Sequence, residues 1–212
     1  MEKYRSFFMQ AVLERLAQPA FFSRVVSIAL RAMAALIALF SLTIFFKVGK
    51  LTFEMTPNRV LGGVFFEAFY VVAVYAAVHI FFLRAREIEE IKSGEFYALA
   101  ILVSLLKMVG EAYCAFVSLI AIGGGLFVWF TNQGLGNVLG SLVRALFPGI
   151  GDDPNFMEGI EFMASGVFIG LAALVFAYAA SQALTLLIRP RNGAQQSPSV
   201  EFNQNYRSRF GS

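Results

Sequence analysis

Four ionisable side chains stand inside the longest apolar stretches of this sequence: Arg31, Glu67, Lys107 and Glu111. In hydrocarbon such a group is expensive, ~2.5–3.5 kcal/mol for Arg, Lys or Asp at a helix centre on insertion scales, so each must face a partner, water or another subunit. Two are cationic and two anionic, so the set can neutralise itself. Two chemistries fit this intramembrane cluster. A carboxylate beside a lysine can pass a proton or an ion along a relay, or the same pair can be a structural ion pair that holds helices in register. Counted from Val60 and Ile122, the expected outer ends of their stretches, Glu67 and Glu111 fall at a similar depth. Lys107 lies one turn deeper, as a counter-ion for either, and Arg31 lies nearer the opposite end, within reach of snorkelling.

Helical periodicity gives each charge an inward face. Ser104, Lys107, Gly110, Glu111, Cys114 and Ser118 recur by threes and fours, with Leu102, Leu105, Leu106, Val109 and Phe116 on the opposite, lipid-suited surface. Arg24, Ser27, Arg31, Ala34, Ala35, Ala38 and Ser41 form a second stripe, and Gly63, Glu67 and Tyr70 share a third face. Gly166, Gly170, Ala173, Ala177 and Ala180 trace a seam of small residues whose first pair is a GxxxG match, a spacing common by chance in glycine-rich apolar helices. Gly63, Gly110, Gly166, Gly170, Ala173 and Ala177 are therefore the expected helix-packing positions.

Other chemistries find no residues. His79 is the only histidine, so neither a two-histidine haem nor a histidine zinc cluster is available within the chain; it reads as an interfacial polar residue. Cys114 is the only cysteine, which excludes a disulfide within the chain. No phosphate-binding loop, HExxH, CxxC or GxSxG occurs. Asp152, Asp153 and Pro154 read as a turn and cap before a helix whose first turns carry Glu158 and Glu161. No catalytic residue, metal site or cofactor is assigned.

The elements that must position the four charges are membrane helices. Of 212 residues, 58% are hydrophobic, only 15% are charged, and mean hydropathy is +0.68. A soluble domain of this size could not hide that much apolar surface. Four apolar stretches, about Phe21–Phe46, Val60–Leu83, Phe96–Ile122 and Glu161–Ile188, each exceed the ~20 residues needed to cross a bilayer. The fold class expected is all-α: a polytopic four-transmembrane-helix bundle. Residues 1–20 are expected to form an amphipathic interfacial helix, with Phe7, Phe8, Val12 and Leu16 on one face and Pro19 as its stop. Residues 21–188 are the membrane domain, and 189–212, rich in Pro, Ser, Gln and Asn, a disordered tail. The third loop opens at Gly123, Gly124 and Gly125, which are expected to end or kink the third helix. Trp129 and Phe130 follow as interfacial anchors. Leu135, Val138, Leu139, Leu142 and Leu146 then suggest an outer amphipathic or re-entrant helix.

Basic residues give the orientation. Lys3, Arg5, Arg15, Arg24, Arg84, Arg86, Lys92, Arg189, Arg191, Arg207 and Arg209 fall on one side and outnumber Lys47, Lys50, Arg59 and Arg144 on the other. The positive-inside rule puts both termini in the cytoplasm. The charge-rich segment Arg84–Glu95 reads as a solvated helical extension. Basic residues that mark helix ends rather than one soluble face give no nucleic-acid site. The expected partners are the lipid bilayer and other membrane subunits or further copies of this chain. The expected function is a non-catalytic subunit, for assembly or as an accessory, of a complex in the cytoplasmic, bacterial inner membrane. The second reading is a small oligomeric channel or ion-coupled transporter built on the Glu and Lys cluster.

Overall fold

A computed structural model describes residues 19–91, 97–134 and 155–188. They form four helices: α1 (Pro19–Glu54), α2 (Val60–Glu90), α3 (Tyr97–Thr131) and α4 (Phe156–Ile188). All four are long and apolar enough to cross a membrane. At 1.5 Å per residue the shortest, with 31 residues, is about 46 Å long, well beyond a ~30 Å hydrocarbon core. The amphipathic segment within 1–20, the outer helix around 135–146 and the tail 189–212 lie outside the described residues.

The helices pack strictly in chain order. α1 lies on α2, α2 on α3 and α3 on α4, while non-consecutive helices make at most glancing contact. The result is an open antiparallel row rather than a ring closed by α1 against α4. Its two ends are called proximal (Pro19, Glu90, Tyr97, Ile188) and distal (Glu54, Val60, Thr131, Phe156). α3 sits inside the row and is the most buried helix; α1 is the least. At the distal half, Val48, Phe66, Tyr70, Val117, Phe127 and Phe162 bring side chains from all four helices into one cluster. At the proximal half, Leu30, Ala85, Ile88, Tyr97, Ile101 and Met108 join α1, α2 and α3.

The three consecutive glycines correct the sequence-based expectation. α3 runs through Gly123, Gly124 and Gly125 without a break and ends nine residues past Ile122, at Thr131. All three are buried. A Cβ at Gly123 would stand 2.7 Å from the Phe69 Cβ on α2, and one at Gly125 would stand 2.6 Å from the Gly159 carbonyl oxygen on α4. These glycines let α3 wedge between its two neighbours. A glycine costs a helix about 1 kcal/mol, and close packing on both flanks offsets that cost. Trp129 is accordingly on α3, not in a loop. Its Nε1–H donates to the Phe156 carbonyl at 2.9 Å, and its ring stacks on Phe156.

Local chemistry explains the helix ends. Asn132, at φ 51°, takes the left-handed conformation that asparagine tolerates and stops α3, its N–H bonded to the Val128 carbonyl. Asn155 caps α4 by accepting the Glu158 N–H on its side-chain oxygen at 2.8 Å. This is a cap the sequence reading had given to Asp152 and Asp153, which lie outside the described residues.

Gly125→Ala is therefore expected to lower stability by about 1–3 kcal/mol, through overpacking at α3–α4. Val175→Ala, on a side chain 67% exposed, is expected to change it little. The unfolding midpoint in detergent, read by dye labelling of the single thiol of Cys114, compares the two.

Candidate functional site

The charged groups gather in a layer at the proximal half of the row. α2 carries its last two turns, Arg84 to Glu90, between α1 and α3. Tyr70, Ala77 and Arg84 are spaced by seven, so the stripe that packs Tyr70 and Ala77 inward also carries Arg84 inward. Its side chain is only 17% exposed. The guanidinium grips Glu111 on α3 with two nitrogens: Nε donates to Oε2 at 3.0 Å, and Nη2 donates to Oε1. Nη1 donates to Glu87, one turn further along α2. The planar fork of arginine suits this two-pronged hold on a carboxylate. The Tyr178 hydroxyl of α4 also donates to Glu111 Oε1, at 2.5 Å. One carboxylate thus joins three helices.

Two further contacts complete the layer. The Ser104 hydroxyl donates to Glu87 at 3.4 Å. Lys107, a turn before Glu111, holds its Nζ 5.5 Å from the centroid of the Tyr178 ring, a cation–π contact. On the α1 side, Arg31 pairs with Glu89 at 2.5 Å, and the Ser27 hydroxyl donates to the same carboxylate at 3.4 Å. The layer holds Arg31, Arg84 and Lys107 against Glu87, Glu89 and Glu111, so its formal charges cancel.

The four residues singled out from sequence therefore part company. Lys107 and Glu111 share one stripe and one neighbourhood, joined by Arg84 and Tyr178. Arg31 belongs to a separate pair with Glu89. Glu67 stands apart, in the distal half between α1 and α2. The Gly123–Phe69 contact places Glu67 near residue 125 of α3, about 20 Å from Glu111 along the helix axis. The similar depth expected for the two acids came from ending α3 at Ile122, and the nine further residues account for most of the difference.

Among the described residues Glu67 has no arginine partner. Its Oε1 is buried without a hydrogen-bond partner. A Cβ added at Gly49 on α1 would stand 3.1 Å from that oxygen, so glycine leaves the room that the carboxyl fills. The Thr52 hydroxyl on the same helix donates to its own Val48 carbonyl at 3.0 Å and also lies against the Glu67 carboxyl.

The small residues lie at helix contacts. Gly63 faces Thr52 of α1, Gly110 faces Ala177 and the Ala173 carbonyl of α4, and Gly170 faces Ser118 and Cys114 of α3. Gly166 is buried within α4. His79 is exposed and stacks on Tyr75, with ring centroids 5.8 Å apart. Among the described residues no group of three or more His, Cys, Asp or Glu gathers that could hold a metal. Sequence reading missed Arg84, Glu87, Glu89 and Tyr178. The signal for Arg84 was its place seven residues after Ala77.

Compared with protein-family models, characterised proteins and solved structures, the chain matches none.

Breaking the central pair on one side only leaves Glu111 without its ion-pair partner, so Arg84→Met is expected to cost about 3 kcal/mol. The double variant Arg84→Met with Glu111→Leu is expected to recover most of that loss. Tyr178→Phe removes a single donor and should cost about 1 kcal/mol. A double-mutant cycle on detergent unfolding midpoints measures all three.

Proposed function

We propose that this chain is a non-catalytic integral subunit of a larger assembly in the cytoplasmic membrane, with both termini on the cytoplasmic side. The observation that carries the reading is the open row. Four antiparallel spans commonly close into a bundle. Among the described residues, α1 packs closely on α2 alone and α4 on α3 alone. Apolar exposure alone is no argument in lipid, where a bare Phe costs nothing. The unclosed edge is the argument, because it offers two helix-length surfaces at which other spans extend the row. Phe40 and Phe46 stand out from α1, and Phe168 and Phe176 from α4. Arg31, Arg84, Glu87, Glu89 and Glu111 form ion pairs and helix ties, which suits a scaffold better than a reacting centre. The bias of Lys and Arg supports the orientation.

The test is extraction from the native membrane in mild detergent, followed by particle mass and identification of every chain. We expect a particle of several spanning chains, and photo-crosslinkers at Phe40 and Phe176 that capture polypeptide. A lone, stable 23.4 kDa monomer whose crosslinks go only to lipid would overturn the proposal.

The burial of Glu67 Oε1 favours a second reading, an ion-coupled channel or transporter in which this carboxyl takes up and releases a proton. Proteoliposome proton flux that Glu67→Gln abolishes is its expected result. Absence of flux, or flux indifferent to that substitution, removes it.

A further inference from the structure

One face of α2 is left bare by the row. Val64, Val71 and Val72 stand out from it in the distal half and Phe82 in the proximal half, each about half exposed. Between them, on the same stripe, are Tyr75, 67% exposed, and His79, also exposed. Their rings stack one turn apart, with 16° between the planes. Two polar side chains thus interrupt an otherwise apolar surface.

Their depth makes this costly. Gly63 of α2 faces Thr52 of α1, and the two helices run antiparallel. Equal steps from that contact set residue 76 of α2 level with Leu39 of α1, halfway between the exposed side chains of Arg31 and Lys47. Tyr75 therefore stands at the middle of the hydrocarbon and His79 about 5 Å from it, not at the interface expected from sequence. Side chains of a helix lean toward its N-terminus, which for α2 is the distal end. The imidazole is also too short to cross the remaining ~10 Å to the proximal boundary. A hydroxyl or imidazole N–H at this depth has no water to bond, and leaving it unmet is expensive. Tyr70 and Tyr178 each donate to an acceptor on a neighbouring helix; among the described residues Tyr75 and His79 have no such acceptor.

The occupant of this face must bring hydrogen-bonding groups at the same depth, and a second copy of the chain brings them by necessity. A two-fold axis along the membrane normal sets equal residues level. A neutral imidazole and a hydroxyl each carry a donor and an acceptor, so the Tyr75 and His79 pair is complementary to itself. The same stripe continues proximally to Arg86 and Glu90, opposite charges 79% and 68% exposed, which are complementary under the same two-fold. Ala68, exposed two turns before Tyr75, has no bulk to hold the helices apart.

We infer that this face of α2 is a two-fold interface between copies of the chain, in which Tyr75 and His79 of each copy hydrogen-bond the same two residues of the other. It goes beyond the scaffold role and uses neither edge of the row.

Sedimentation equilibrium of the full chain in density-matched detergent measures the association, and oxidative crosslinking in the native membrane locates it. We expect a dimer of the 23.4 kDa chain. Tyr75→Phe removes only a hydroxyl and should weaken the dimer at least threefold. His79→Leu should weaken it tenfold or more, and His79→Asn, which keeps a donor and an acceptor, should retain most of the affinity. Phe82→Cys, in a Cys114→Ser background, should form a disulfide between two copies. If His79→Leu fails to fold, Tyr75→Phe and the disulfide decide. A chain that stays monomeric, or a dimer indifferent to both Tyr75→Phe and His79→Leu, overturns the inference. So does Phe82→Cys crosslinking only to a different polypeptide, and so does a haem absorption band of the wild type that His79→Leu removes. Other chains captured at α1 and α4 without this dimer leave the scaffold role standing and remove only this interface.

Discussion

A guanidinium placed among apolar helices has to be met by carboxylate within the reach of one side chain, and the proximal half of this molecule is arranged around that demand. Water that would otherwise solvate Arg84 is scarce there, so its donors must be answered by protein. Glu111 answers two of its nitrogens and Glu87 a third. Because Glu111 belongs to α3 and also receives Tyr178 from α4, neutralising one residue of α2 fixes three helices at one level. The rest of the layer follows. Glu87 turns toward Ser104, and Lys107, one turn from a carboxylate already held by Arg84, is left over the Tyr178 ring.

The distal half solves a different problem with different residues. It has no such ion pair between helices among the described residues, and lipid gives apolar helices no hydrophobic reason to associate. Close approach supplies the attraction instead. Gly62 and Gly63 lie against α3 and α1, Gly123 against α2, and Gly125 faces Gly159 on α4. Each missing side chain brings backbones near enough for many weak dispersion contacts to add up. Polar ties at one end and small residues at the other hold α3 in the middle of the row. Among the described residues, the edge helices α1 and α4 each pack closely on one such neighbour.

Much of this was legible from residue types and spacing, and the failures have identifiable physics. Four spans, their antiparallel order and the common stripe of Lys107 and Glu111 follow from hydropathy and a period of 3.6. Arg84 was misread because a run of alternating charges, Arg84 to Glu95, has the composition of a solvated face. Only its heptad relation to Tyr70 and Ala77 pointed inward. The end of α3 was misplaced because three glycines weigh as helix breakers when counted singly, whereas here each is a contact. That single error moved Glu111 to the depth of Glu67 and joined two sites that are separate. The open row was not legible at all. Periodicity says which face of a helix is polar or small, but not which helix meets it.

The two membrane carboxyls then become informative as a contrast. Glu111 and Glu67 are the same side chain in the same kind of helix, yet one is gripped by an arginine fork and a tyrosine while the other has a buried oxygen with no donor. A carboxylate held by Arg84 and Tyr178 is tied to three helices at once. A carboxyl facing a glycine notch has no cation paired with it among the described residues, so neutralising it costs no ion pair. Chemistry that needs a proton to come and go is therefore better sought at Glu67 than at the more conspicuous Glu111. The density of charge around Glu111 marks where α2, α3 and α4 are tied together.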